Sequence, residues 1–119
     1  MKIMVVDDST AMRNMVIRTI RQAGFDTGDV VQAENGLVAL DKIRKDMPDL
    51  ILADWNMPEM TGIELLQAMN DEGLKTKFGF ITTEATAVMR EQATAGGARF
   101  LISKFFSVES FEKILGAVM

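Results

Sequence analysis

The residues with most chemistry to offer sit just after short apolar runs. "IMVVDDS" ends in Asp7, Asp8 and Ser9, and "LILADWN" passes into Asp54 and Asn56. "FGFITTE" ends in Thr82, Thr83 and Glu84, and "RFLISK" in Ser103 and Lys104. Taken singly, each has an ordinary explanation. Asp-Asp-Ser is a common turn or helix cap, a threonine suits a strand, and a lysine after a strand is usually a solvated charge. Gathered at one sheet edge, they mean something else. Three neighbouring carboxylates cannot all stay ionised without compensation, and at least one pKa must rise. A divalent cation removes the conflict: with Lys104 it brings +3 against -3 from Asp7, Asp8 and Asp54. The chain has no histidine and no cysteine. That excludes Ser-His and Cys-His catalysis, disulfides, cysteine-ligated zinc and most other zinc sites. A hard, oxygen-preferring ion such as Mg²⁺ fits the donors that remain.

The elements that must position these groups follow from periodicity. Apolar runs at 3–8, 30–34, 50–54, 78–83 and 99–103 read as strands. Between them lie helical stripes. Met12, Met15, Val16, Thr19, Ile20 and Ala23 form the first, stopped by Gly24. Ala39, Leu40, Ile43 and Met47 form the second, ended by Pro48. "TGIE" opens the third as a capping box, Thr61 at the cap and Glu64 reaching back, and it runs to Gly73. Ala85, Val88, Met89 and Ala93 mark the fourth, closed near Gly96 and Gly97. Ser107 caps the fifth, with Val108, Phe111, Ile114, Leu115 and Val118 on one face. Strands alternating with helices, most of them apolar on both faces, specify one α/β domain with a doubly wound parallel sheet. In such a sheet ligands collect at the carboxyl ends of the strands, where these polar residues fall.

The composition sets the outer bounds. With 119 residues, 48% hydrophobic and 25% charged, the chain is expected to form a single domain over 1–119 with no attached output domain. A net charge of -4 gives no reason to expect nucleic acid or an anionic membrane as partner. No apolar run has transmembrane length, and the N-terminus is too short and acidic for a signal peptide, so a cytoplasmic protein is expected. The 10 methionines suit either adaptable core or exposed partner surface.

"VVDDS" (5–9), "DWNMPEMTGIELL" (54–66), "TTEA" (82–85) and Lys104 resemble response-regulator receiver domains, and the single-domain, CheY-like chemotaxis branch in particular. The similarity runs in register along essentially the whole chain. It implies a flavodoxin-like (βα)5 fold with strand order 2-1-3-4-5. It implies Asp54 as acceptor of a phosphoryl group from a histidine kinase of the CheA type. It also implies Mg²⁺ held by Asp8, Asp54 and the Asn56 carbonyl, with Asp7 acting mainly through a metal-bound water. Lys104 and Thr82 would contact the phosphoryl oxygens, and Glu84 would influence hydrolysis. The protein would be a phosphoacceptor regulator, catalysing only its own phosphorylation and dephosphorylation. A flagellar motor switch protein and a phosphatase are the further partners implied, with the chain itself a monomer.

Two positions depart from the family pattern. The lysine is followed by Phe105 where the family usually has a proline after a cis bond. A non-proline cis bond costs about 3–4 kcal/mol, and retention of cis is expected because Lys104 must reach the site. Leu101 stands where the family usually has a switching aromatic, and Phe100, one place earlier, must face the other way. Phe100, Phe105, Phe106 and Met89 are expected mostly as packing; exposed, they would form a docking patch. Acceptor chemistry tolerates both departures, whereas motor readout is less secured by them. A phosphate sink or relay intermediate is therefore an alternative. A phosphorylation-independent interaction domain and an aspartyl-phosphate phosphatase stand further off. The phosphatase would need an acid where Asn56 stands, and a flavin or nucleotide binder would need a glycine-rich first turn where Asp7 and Asp8 stand.

Overall fold

The computed structural model describes residues 1–25, 28–104 and 106–118. Strands β1 (Ile3–Val6), β2 (Val31–Ala33), β3 (Leu50–Ala53), β4 (Lys77–Thr82) and β5 (Phe100–Ser103) form one parallel sheet in the order β2-β1-β3-β4-β5. They alternate with helices α1 (Thr10–Gln22), α2 (Gly36–Lys45), α3 (Gly62–Asp71), α4 (Ala87–Ala95) and α5 (Val108–Val118). The expected doubly wound fold and strand order are both present.

Side-chain alternation splits the core in two. Met4, Val6, Ile51, Ala53, Phe78, Phe80 and Leu101 face α2, α3 and α4. Ile3, Val5, Leu50, Leu52, Ile81 and Ile102 face α1 and α5. β1 and β3 are buried along their whole length, which is why they read as unbroken apolar runs. Among the described residues, no helix is long and apolar enough to cross a membrane.

Several local expectations need correction. β1 stops at Val6 rather than at residue 8, and β4 stops at Thr82, leaving Thr83 exposed. In α1 the buried face is Val16, Ile17, Thr19 and Ile20, whereas Met15 is 47% exposed. In α4 only Ala93 is buried and Val88 is 63% exposed. That helix meets the core through Ala93 with Met89 half-buried beside it, which leaves Val88 on the outer face. Phe100 and Leu101 do face opposite ways. The Phe100 ring fills the space over Gly79 on the adjacent strand, where a Cβ would come within 2.1 Å of it. Phe106 is half-buried and meets Phe111 edge-on at 4.8 Å, and Met89 is half-buried against the α2–α4 side of the core. These three pack rather than form an open aromatic patch. Phe105, and with it the Lys104–Phe105 bond, lies outside the described residues.

Candidate acidic site at the carboxyl edge of the sheet

Hydrogen bonding carries the sheet pattern one step past each strand, and that places the site. The Asp7 N–H donates to Ala33 O at 3.1 Å, and the Asp54 N–H to Val6 O at 2.8 Å. The Lys104 N–H donates to Thr82 O at 2.8 Å. Asp7 and Asp54 thus leave adjacent strands side by side, and Lys104 leaves β5 beside the end of β4.

The turn after β1 is fixed from both sides. The Ser9 N–H donates to Asp7 Oδ1 at 2.9 Å, and Ser9 Oγ accepts from the Met12 N–H at 3.1 Å, capping α1. Arg13 Nη1 donates to the Asp7 carbonyl at 2.6 Å, and its Nε donates to Gln32 Oε1 at 2.9 Å. After β3 the chain returns into α3, and the Gly62 N–H donates to Trp55 O at 2.9 Å. A Cβ on Gly62 would lie 2.2 Å from the Asp54 carbonyl oxygen, so only glycine lets α3 start this close to the acid. The expected capping box is formed: Thr61 Oγ1 accepts from the Glu64 N–H, and Glu64 Oε1 accepts from the Thr61 N–H at 3.0 Å.

Asp7, Asp8 and Asp54 each present an oxygen, all within 4.8 Å of one another. Asp7 and Asp54 are buried and Asp8 is exposed. Lys104 Nζ lies 3.0 Å from Asp54 Oδ2 and 3.2 Å from Asp7 Oδ2. Burial pushes the Asp54 carboxyl above its ordinary range, against the pull of the Lys104 hydrogen bond and with added repulsion from Asp7. The Lys104 ammonium is opposed by burial but is held above its ordinary range by hydrogen bonds and charge from Asp54 and Asp7. An exposed and two buried carboxylates in one cluster, offering only oxygen, suit a hard divalent cation.

Thr82 is fully buried, and its Oγ1 accepts from the Glu84 N–H at 3.4 Å. Asn56 and Glu84 are exposed in the loops after β3 and β4. Leu101 is buried opposite Phe80 in the β4–β5 register, and Phe80 also meets Trp55 with ring centroids 4.7 Å apart. Two positioning residues went unread in the sequence. Gly62 had a signal, a poor helix former at the first helical position of a strong cap. Arg13 had a weaker one, a cation near a helix N-terminus, where the macrodipole disfavours it.

A family model for the response regulator receiver domain matches residues 3–116. The chain belongs to this family. Among its relatives are the chemotaxis protein CheY-3 of Vibrio cholerae serotype O1, 36% identical over 99% of this chain and 91% of that protein. The chemotaxis protein CheY of Pseudomonas aeruginosa is also 36% identical, over 99% and 98%. The crystal structure of the Vibrio cholerae chemotaxis response regulator CheY4 superposes with a TM-score of 0.85 at 35% identity, covering 99% and 98%. A LuxR-family DNA-binding response regulator from Staphylococcus aureus shares the fold, with a TM-score of 0.86 at 24% identity over 98% and 97%. The receiver domain described here therefore presents its acid cluster on a framework common to regulators with different outputs.

Proposed function

We propose that this receiver domain accepts a phosphoryl group on Asp54 from a histidine kinase, in a reaction that depends on Mg²⁺, and thereby alters its affinity for a partner. The observation that carries this is Lys104 Nζ lying 3.0 Å from Asp54 Oδ2, beside the oxygen cluster of Asp7, Asp8 and Asp54. An Asp54 carboxylate oxygen attacks phosphorus and forms an O–P bond. The P–N bond to the donor imidazole breaks, and the nitrogen leaves with the electron pair. Lys104 turns from carboxylate to phosphoryl oxygens and offsets their charge, and the Thr82 hydroxyl donates to one of them. Asp8, Asp54 and the Asn56 carbonyl, with Asp7 in support, would hold Mg²⁺, which would supply charge neutralisation at those oxygens. Glu84, exposed after β4, tunes water access during hydrolysis.

The CheY relatives favour chemotaxis and flagellar motor control as the output, with a CheA-type kinase as donor and a phosphatase acting on the product. A phosphate sink or relay is the second reading. It is favoured by Leu101, which is buried and offers neither a ring nor a hydroxyl to a switch. The test is intact mass after incubation with phosphoramidate and Mg²⁺. One added phosphoryl group on the native chain and none on Asp54→Asn is expected. An unchanged native mass in a folded sample that binds Mg²⁺ would refute acceptor function.

A further inference from the structure

At the opposite, amino-terminal edge of the sheet lies a cavity of about 430 Å³ lined by Met1, Asp49, Lys75, Thr76, Lys77 and Arg99. Its charge is out of keeping with a chain of net charge -4. Lys2, at the start of β1, is paired with Asp46, and its N–H donates to Asp49 Oδ2 at 2.8 Å, which engages the carboxylate of the cavity. Arg44 is paired with Glu72, and Lys45 with Asp41. Among the described residues, Lys75, Lys77 and Arg99 have no ion-pair partner and no side-chain hydrogen bond. The fold brings them together by backbone placement. Thr76 Oγ1 bonds to the carbonyls of Pro48 and Asp49 at 2.8 and 2.9 Å, pinning the segment that carries the two lysines. The Arg99 N–H donates to Phe78 O at 2.8 Å, fixing the arginine next to them.

A second cavity of about 200 Å³ adjoins the first and shares Lys75, Thr76 and Arg99 with it. The buried side chains of Leu66, Met69 and Phe78 close it from below, with half-buried Leu74 beside them. Three cations held in one concavity repel each other, and a multiply charged anion removes that repulsion. The annex beside them is continuous with the three cations and is completed by Asn70, Gly96 and Gly97.

We infer that this basic cavity binds a diphosphate group, through Lys75, Lys77 and Arg99, independently of the acid cluster at the other edge. The group has two sources: free pyrophosphate or polyphosphate, or a nucleotide whose base enters the annex. Amide shifts followed by NMR during titration with pyrophosphate and with ADP, without Mg²⁺, test this. Saturable shifts at residues 75–77 and 97–99, with little change at 7–8 and 54, are expected. Binding should weaken at least tenfold in the Lys75→Gln/Arg99→Gln double variant and stay unchanged in Arg18→Gln, a charge removal on the exposed part of α1. It should also persist in Asp54→Asn, so that its failure is distinct from failure of phosphoryl acceptance. Tighter binding of ADP assigns the annex to a base, and equal binding assigns the site to free polyphosphate. Absence of saturation with both, or equal weakening by Arg18→Gln, would overturn the inference.

Discussion

Lys104 Nζ lies within 3.2 Å of Oδ2 of both Asp54 and Asp7, so a single cation bridges two buried acids. The balance is incomplete, because Asp8 adds a third carboxylate to the same cluster and Lys104 brings one charge. Three carboxylates against one ammonium therefore leave an excess of negative charge at the cluster. That imbalance gives opposite signs to the removal of an acid and the removal of the lysine.

Asp54→Asn is expected to stabilise the metal-free fold at neutral pH, by roughly 1 kcal/mol, because it deletes a buried negative charge. The pH dependence follows from linkage. The folded Asp54 carboxyl sits above its ordinary 3.8, so the native state holds more protons than the unfolded state between the two values. This group's contribution to stability thus rises as pH falls from neutral through the raised folded value. Glu64 and Glu72 work the other way. Their carboxyls are held low by Thr61 and Arg44, and their contributions are lost as pH falls through those lowered values. The raised Lys104 loses its contribution only above its ordinary 10.5, outside this window. Urea unfolding in chelator as pH falls from neutral toward the ordinary 3.8 should show a stabilising contribution in the native chain that is absent in Asp54→Asn. Parallel curves for the two proteins would contradict the assigned shift.

Lys104→Met should do the reverse. It leaves Asp7 and Asp54 buried without their cation, and the expected loss is about 2–4 kcal/mol in chelator. Excess Mg²⁺ should recover part of it, since an ion bound to the native state stabilises by mass action. Thermal unfolding with and without Mg²⁺ reads both effects. A variant as stable as the native chain in chelator would show that the ion pair contributes nothing to the fold.

The capping box at the start of α3 connects local sequence to this site, because α3 begins against Asp54. Thr61→Ala removes an acceptor for the Glu64 N–H and should cost about 1 kcal/mol. It should also raise the Glu64 carboxyl part of the way back to its ordinary value, since the hydroxyl donor is lost while the backbone N–H of residue 61, the larger cause, still donates. Urea unfolding midpoints and an NMR titration of Glu64 check the two parts separately. A normal Glu64 titration in the native protein would remove the box as the cause.

The sequence was most legible where one residue answers to one environment. Leu50–Ala53 are buried on both faces, so a continuous apolar run could mean little else. "TGIE" announced a cap whose bonds all lie within one turn. Legibility failed where partners are remote or faces are weakly marked. Lys104 and Asp54 are 50 residues apart, and no local periodicity pairs them; only the doubly wound topology, which gathers strand ends at one edge, brings them together. In α4, Ala93 is the one fully buried residue, with Met89 half-buried beside it, so the stripe holds at those two positions and fails at exposed Val88. In α1, Met15 looked like core but is exposed, because Ile17 takes the inward position. The approach of Gly62 to Asp54 involves a backbone oxygen, which leaves no trace in side-chain pattern.

Gly62 gives the sharpest sign test. Glycine in an ordinary helical position is improved by alanine, by about 0.5–1 kcal/mol, through helix propensity and a less mobile unfolded chain. Gly116 in α5 is such a position, because a Cβ there would meet nothing within 4 Å. Gly116→Ala should therefore stabilise by that amount. Gly62→Ala meets the Asp54 carbonyl oxygen at 2.2 Å and Phe80 Cε1 at 2.9 Å. Neither can yield cheaply: the first is backbone and Phe80 is fully buried. The expected result is a loss of about 2–3 kcal/mol from overpacking. Since relief requires Asp54 or the start of α3 to shift, Mg²⁺ affinity, read by the fluorescence of Trp55, should fall several-fold in Gly62→Ala and stay unchanged in Gly116→Ala. If both alanines stabilise alike, α3 does not begin against Asp54 as described, and the acid is positioned by its strand alone.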